Sequence, residues 1–318
     1  MKKWGYTVSL FLLASVIGVL ALGYQPVDAS AAENKRFVIG VSQCHMNTPY
    51  RVALTTELQA EVEKRGLNWE LILTDGQNNP NKQVNDAHDL MAKDVDLIIM
   101  APTQSAPLTP VVGEIMDAGI PVLLVDRTII GDKFSAFVGG DNINAGEVVA
   151  KYIIEKRGDS MNVVEMQGTL GASATNDRHK GFRDYVAKYP NIKILSDQTG
   201  DFLRDKALAL TENILQANDK VDVLYCHSDN MALGAIEAID AAGRKGEMFV
   251  FGTDGQKQAC DKIRDGSITG TVFYPTGAVE AVDIAYKILN GQPYEKVNML
   301  PTPLITIENV DEWYDRCF

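Results

Sequence analysis

From Phe37 onward, apolar runs of four to six residues alternate with stretches in which apolar residues recur every three or four positions. The first pattern predicts strands and the second amphipathic helices. "FVIGVS" (37–42), "WELILT" (69–74) and "DLIIM" (96–100) are each followed by a helical pattern, over about 50–65, 81–93 and 108–118. "PVLLVD" (121–126) makes a fourth strand. The rhythm resumes with "NVVEMQ" (162–167), "IKILSD" (192–197), "VDVLYC" (221–226) and "MFVFGTD" (248–254). Helical patterns follow these at about 174–188, 203–217, 229–242 and 256–265. Such alternation means βαβ units and parallel sheets, an α/β fold. Two runs of four units predict two similar lobes.

The joint falls near "SAFVGGDNINAGEVVAKYIIEK" (135–156), where a short strand leads through Gly139-Gly140 to Asp141, a cap for the next helix. After Ile268 come another short strand, "TGTVFYP", a helix over 276–289, and "PLITIENV" (303–310). These late segments stand outside the alternation and return the chain between the lobes. Several crossings make a hinge, and the cleft then lies at the carboxyl ends of both sheets. Open α/β sheets bind ligands there.

The first thirty residues follow no such rhythm. Lys2 and Lys3 precede a long apolar run ending near Leu22, then small residues around Ala29-Ser30-Ala31. This is the layout of a cleaved secretory signal, residues 1–31. The rival is an uncleaved anchor, since the run approaches spanning length; the small-residue site favours cleavage. No Cys lies beside that site to carry a lipid. Removing Lys2, Lys3 and Asp28 takes the net charge from −12 to −13. A chain this acidic repels phosphate backbones and anionic lipid, which argues against nucleic acid as a partner. Cys44, Cys226, Cys260 and Cys317 have no C-x-x-C spacing. Export permits disulfides: Cys260 with Cys317 is the pair to test, and four free thiols is the alternative.

The motifs of common enzymes are missing. There is no G-x-x-x-x-G-K-[ST] and no G-x-S-x-G, and the four His residues form no zinc-binding pair. "GTLGAS" (168–173) can cradle an anion before a helix, or simply supply glycine turns. No cofactor is expected. The polar groups at strand ends are more informative. Ser42, Gln43 and Thr103 follow strands of the first run, and Asp126 and Arg127 end its fourth. In the second run Asn176, Asp177 and Arg178, then Ser228, Asp229 and Asn230, then Thr253 and Asp254 take equivalent places. Tyr50, Phe202, Phe273 and Tyr274 stand nearby. Carboxylates accept from hydroxyls, Arg donates a fork of two bonds, and rings pack on the C–H faces of a sugar. The set suits a polyhydroxylated ligand. Individually each Asp also suits a helix N-cap, as Asp229 does before "NMALGA".

At these residues the chain resembles the periplasmic sugar-binding proteins of ABC transporters, the ribose-binding branch in particular. "DGQNNPNKQVNDAHDLMAKDVDLIIMAPT", "IPVLLVDR", "EMQGTLGASATNDRHKGF", "GDFLRDKA", "SDNMALGAIEAI" and "FGTDG" match that family's motifs in order, over nearly all of the mature chain. The resemblance implies the type I periplasmic binding fold: two Rossmann-like lobes joined by three crossing strands and closing on one solute. The first lobe then comprises 35–140 plus 274–303, the second 141–273 plus 304–318. It also implies a monomer in the periplasm, a membrane permease as partner, and no catalysis. The family's bidentate sugar ligands fall on Asp126 and Arg127, its second-lobe arginine on Arg178, and its stacking aromatic on Phe202. Its strand-end aspartate falls on Asp254, and an aromatic wall near the first helix on Tyr50.

The departures bear on specificity. Ribose binders of the family place Asn where this chain has Thr48, Ala101 and Ser228, an aromatic where Arg51 stands, and Gln at what aligns as Phe273. Ribose is therefore not the favoured ligand. Arg51, Arg127 and Arg178 in one cleft would suit an acidic sugar; the other reading, slightly favoured, turns Arg51 to solvent. A deoxy-sugar, a polyol or a differently shaped hexose also fits. Two other functional classes have this fold: a ligand-sensing module feeding a chemoreceptor or sensor kinase, and a repressor core, which lacks its helix-turn-helix here. A sugar hydrolase using Asp126 and Asp254 is the remaining rival.

Overall fold

The structure is a computed structural model describing Met1 and residues 35–318; the leader and its expected cleavage site lie outside the described residues. The chain begins with β1 (Phe37–Gln43), α1 (Pro49–Lys64), β2 (Trp69–Asp75), α2 (Pro80–Met91), β3 (Leu97–Met100), α3 (Ser105–Asp117), β4 (Val122–Val125) and β5 (Ala136–Gly140). Then come α4 (Asn142–Arg157), β6 (Met161–Met166), α5 (Ser173–Val186), β7 (Ile192–Ser196), α6 (Arg204–Ala217), β8 (Val223–Cys226), α7 (Asp229–Ala241), β9 (Phe249–Asp254) and α8 (Lys257–Arg264). It closes with β10 (Gly270–Phe273), α9 (Ala278–Leu289), β11 (Val297–Leu300), β12 (Leu304–Thr306) and α10 (Val310–Trp313).

Two six-stranded sheets result, ordered β11-β5-β4-β3-β1-β2 and β12-β10-β9-β8-β6-β7. The first is parallel throughout, and the second is parallel except where β12 runs antiparallel to β10. Central strands are buried on both faces, which is why they are continuously apolar. In β3, Leu97 and Ile99 join one core, while Ile98 and Met100 join the core on the opposite face. The period-2 alternation divides β4 the same way, Leu123 and Val125 against Val122 and Leu124.

Each sheet has two strands beyond the four read from the rhythm. β5 and β10 are the short strands expected near the joint and after Ile268. "PLITIENV" supplies only the three residues of β12. β11 was not visible in the pattern, because an edge strand with Val297 and Met299 exposed has no apolar run. The chain leaves the first sheet after Gly140, returns to it after Phe273, and leaves again between Leu300 and Leu304. These three crossings lie side by side. The Tyr274 hydroxyl accepts from Asn142 Nδ2 (2.9 Å), and Asn144 Nδ2 donates to the Thr302 carbonyl (3.0 Å).

Candidate functional site

The carboxyl ends of the two sheets face one another across a cavity with about 370 Å³ of empty space, its mouth included. His45, Thr48, Tyr50, Arg51, Asp126 and Arg127 line it from the first sheet's side. Ala174, Arg178, Phe202, Ser228, Asn230 and Asp254 line it from the second. Thr48, Tyr50, Arg51, Asp126, Arg127, Arg178, Phe202, Ser228 and Asp254, all expected from the sequence, are thus brought together. The mouth is shut by bonds between the lobes. Thr128 N–H donates to Ser173 Oγ (2.8 Å), Ser105 N–H to the Gly171 carbonyl (2.9 Å), and Gln104 Nε2 to the Leu170 carbonyl (2.9 Å). "GTLGAS" therefore acts as a lip, its carbonyls accepting from the opposite lobe.

Phe273 does not line the cavity. Side chains alternate along β10, so Phe273 turns to the face covered by Trp313, with ring centroids 4.9 Å apart. Tyr274 instead lies beneath Arg178, whose guanidinium carbon is 4.5 Å from its ring centroid. Asp229 needs a second correction. Ser228 is the N-cap of α7, accepting from Met231 N–H (3.3 Å). Asp229 is the first helical residue and is wholly buried. It accepts from the Gly255 and Gln256 N–H groups (2.9 and 2.8 Å) and from Thr271. Asp229 thereby fixes the turn that carries Asp254.

Local geometry explains how each side chain is aimed. Asp126 follows β4 in the left-handed region (φ 63°), a conformation Asp tolerates better than most residues. That turn directs its carboxylate inward. Pro49 opens α1, and Thr48 holds the N-cap position without capping anything, which leaves its hydroxyl facing the cavity. Arg51 is not at the surface as the favoured reading had it; it is buried, on the inward stripe of α1 with Leu54, Leu58 and Val62. It donates to Asp126 Oδ2 through Nη2, while its Nη1 makes no hydrogen bond. Arg127 donates to the Thr103 carbonyl (3.0 Å), places Nε 3.6 Å from Asp126 Oδ2, and lies over the Phe202 ring at 5.3 Å. That Nε also makes no hydrogen bond. Phe202, itself at φ 63°, packs flat on Gly168, where any Cβ would overlap the ring.

Arg178 is held from below. Its Nε donates to Asn142 Oδ1 (2.8 Å) and its Nη1 to the His227 carbonyl. The His227 imidazole in turn rests on Glu165, 3.0 Å from Oε1, and Glu165 also binds His179 (3.0 Å) and Arg183 (2.6 Å). Burial would raise the Glu165 carboxyl, but these three partners outweigh it and bring it to about 2. Asn142 and Glu165 escaped the sequence reading because neither ends a strand beside the cleft. A Glu inside the apolar run "NVVEM" was the available signal, since a buried carboxylate requires cationic partners.

The two aspartates of the cavity are tuned in opposite directions. Burial opposes ionisation of Asp126, yet Arg51, Arg127 and Arg178 outweigh it and hold the carboxyl below its usual range. Asp254 is pushed well above that range by burial, and by Asp229 behind it. Cys44, just behind Arg127 and Arg51, shows the same positive field: burial alone would raise its thiol, but the Arg127, Arg51 and His45 charges bring it to about 6. Among the described residues no cluster of His, Cys, Asp or Glu has the arrangement of a metal site. What the cavity presents is a set of carboxyl groups, guanidinium donors without a protein partner and an aromatic face.

The comparisons agree with this geometry. The family model for the periplasmic binding protein domain matches residues 39–293. The ribose import binding protein RbsB of Bacillus subtilis is 33% identical over 312 residues, 96% of this chain and 99% of that protein. The galactofuranose-binding protein YtfQ of Escherichia coli is 36% identical over 289 residues, 87% of this chain and 90% of that one. Among solved structures, the fructose-binding periplasmic domain of a hybrid two-component system superposes with a TM-score of 0.83 at 32% identity, over 88% of this chain and 94% of that one. These relatives are binding proteins rather than enzymes. By fold, by the site between its sheets and by the extent of the match, the chain belongs to the periplasmic binding protein family, in its ribose-binding branch.

Proposed function

We propose that the protein captures one neutral sugar or cyclic polyol between its lobes and delivers it to the permease of an ABC importer. It acts outside the cytoplasmic membrane, as a monomer and without catalysis. The lobes are 35–140 with 274–303 and 141–273 with 304–318, and hinge bending about the three crossings closes them on the ligand. The ligand bridges both lobes, so its binding shifts the population toward the closed form.

One observation carries the choice of a neutral ligand: each arginine of the cavity already donates to an acceptor within the protein. Arg51 is paired with Asp126, Arg127 with Asp126 and the Thr103 carbonyl, and Arg178 with Asn142 and the His227 carbonyl. Arg51 Nη1 and Arg127 Nε remain as buried donors without a protein partner, on guanidinium groups that already hold the Asp126 carboxylate. Single donors match hydroxyl and ring oxygens. That relatives bind ribose, galactofuranose and fructose supports the same class. A sensing role would use an identical site. Delivery is preferred because the import protein of Bacillus subtilis matches this chain nearly end to end.

The test is a thermal-shift panel of the protein from residue 32 against pentoses, hexoses in pyranose and furanose forms, inositols, linear polyols and uronic acids. A ligand at a hundred times its Kd adds about 2.7 kcal/mol, a shift of several degrees. Shifts confined to neutral compounds are expected. A shift with uronic acids alone would sink the neutral assignment.

A further inference from the structure

We propose that Cys260 and Cys317 form a disulfide site that fastens the C-terminal segment under both walls of the cleft. Their sulfurs lie 3.0 Å apart and both residues are buried, Cys260 in α8 and Cys317 next to the chain end. Bond formation needs an approach of only about 1 Å, to the usual length near 2.05 Å. The other two cysteines belong to different sheets, Cys44 after β1 and Cys226 at the end of β8. Either sulfur can donate to the other; where Cys260 donates, the Cys317 thiol is held below its ordinary value and attacks as the thiolate.

The chemistry is thiol–disulfide exchange with an external disulfide oxidant. The Cys317 thiolate attacks one oxidant sulfur, the oxidant's other sulfur leaves as a thiol, and Cys260 then displaces the mixed disulfide. Two thiols of the protein lose two electrons and two protons, and the oxidant becomes two thiols. The bridge closes a loop spanning 57 positions.

Its consequence for the site comes through the next residue. Phe318 N–H donates to the Gly255 carbonyl (3.3 Å), and the Phe318 carbonyl accepts from Lys257 N–H (2.8 Å). Both bonds brace the turn that follows Asp254. The Phe318 ring meets the Tyr50 ring edge-on, with centroids 6.0 Å apart, and Tyr50 lines the cavity from the first lobe. One terminal residue thus touches the supports of both walls, and a bond at its neighbour holds it there.

That the bond forms in the cell rests on the export proposed above; that the two thiols form a disulfide site does not. The test starts from purified mature protein incubated with oxidised glutathione. Non-reducing peptide mapping should recover Cys260 joined to Cys317, and the thiol count after denaturation should fall from four to two. Reduction should lower the Tm by about 5–10 °C and speed amide exchange at residues 314–318 and 255–257. A bridge that forms in glutathione but is absent from protein isolated from its host supports the site and overturns export instead. Four free thiols after glutathione, a stable glutathione adduct, or a bridge through Cys44 or Cys226 would overturn the site. Unchanged exchange at 314–318 and 255–257 would overturn the fastening.

Discussion

Asp126 balances the buried arginine charges and, in the proposed function, contacts the ligand, and replacing it by Asn separates the two roles. Asn is the informative choice because it accepts the left-handed backbone at φ 63° and keeps an oxygen for Arg51. Ala would add a conformational cost of about 1–2 kcal/mol and blur the result. What Asn removes is the charge between two buried guanidinium groups. At 3.6 Å and an effective dielectric of 20, the Arg127–Asp126 attraction alone is about 4.6 kcal/mol. The Arg51 pair is closer and at least as strong. Against this, the variant no longer desolvates a carboxylate, which recovers several kcal/mol. The net cost expected at pH 7 is about 3 kcal/mol, the low end for breaking a buried pair, because the hydrogen bond survives.

Urea unfolding of the ligand-free protein, followed by circular dichroism, measures it. With a slope near 3 kcal/mol/M the midpoint should fall by roughly 1 M, with the slope unchanged. The pH profile gives an independent check. Asp126 has a depressed folded value, so its stabilisation is fully present above the unfolded value near 4 and is lost as pH falls through the folded one. The gap between wild type and Asp126→Asn should therefore stay constant from pH 7 to about 4 and close only below it. A midpoint shift under about 0.3 M, or a gap already closing at about pH 5, would refute the buried-pair reasoning. Adding Arg51→Met to Asp126→Asn should recover part of the stability, because it removes one of the two guanidinium groups left without an anion, while calorimetry should show no ligand binding.

Asp254→Asn should behave in the opposite sense. Its raised folded value means that the cost to stability is absent below the unfolded value near 4, sets in above it, and grows as pH rises toward the folded value. The variant should gain in Tm over wild type at pH 8 but not at pH 4, while losing about 2–5 kcal/mol of ligand affinity. Glu165→Gln should cost about 3–5 kcal/mol at pH 7; acid unfolding should show the wild-type advantage disappearing between the ordinary carboxylate value near 4.3 and about 2. Gly168→Ala should force the Phe202 ring off its floor and cost about 1–3 kcal/mol. Adding Phe202→Leu should return part of the Tm, and an unaltered Tm in the single variant would show that the loop yields.

How much of this was legible in the sequence depends on which physical signal each residue leaves. Buried parallel strands announce themselves by continuous apolar runs, and whatever follows such a run stands at the cleft. Asp126, Arg127, Ser228 and Asp254 were accessible for that reason alone. Phe273 was misplaced because a strand end fixes position along the sheet but not face. β10 ends in Phe273 and is followed by Tyr274, and alternation sends the first to Trp313 and the second to Arg178. Ser228 and Asp229 are adjacent and both able to cap, so only coordinates separate the cap from the brace.

Arg51 is the instructive failure, since its signal was present. It stands three, seven and eleven positions before Leu54, Leu58 and Val62, on the same face of α1. An arginine on a buried stripe requires a buried anion within reach, and Asp126 was the unpaired candidate at the next strand end but two. Had that requirement been followed, the three arginines would not have suggested an acidic ligand. In a closed cavity the arginine count says little about the ligand's charge until the internal pairs are subtracted. Here Arg51 and Asp126 cancel, while Arg127 and Arg178 donate to carbonyls and an amide, so the cavity holds fewer unpaired charges than it holds arginines.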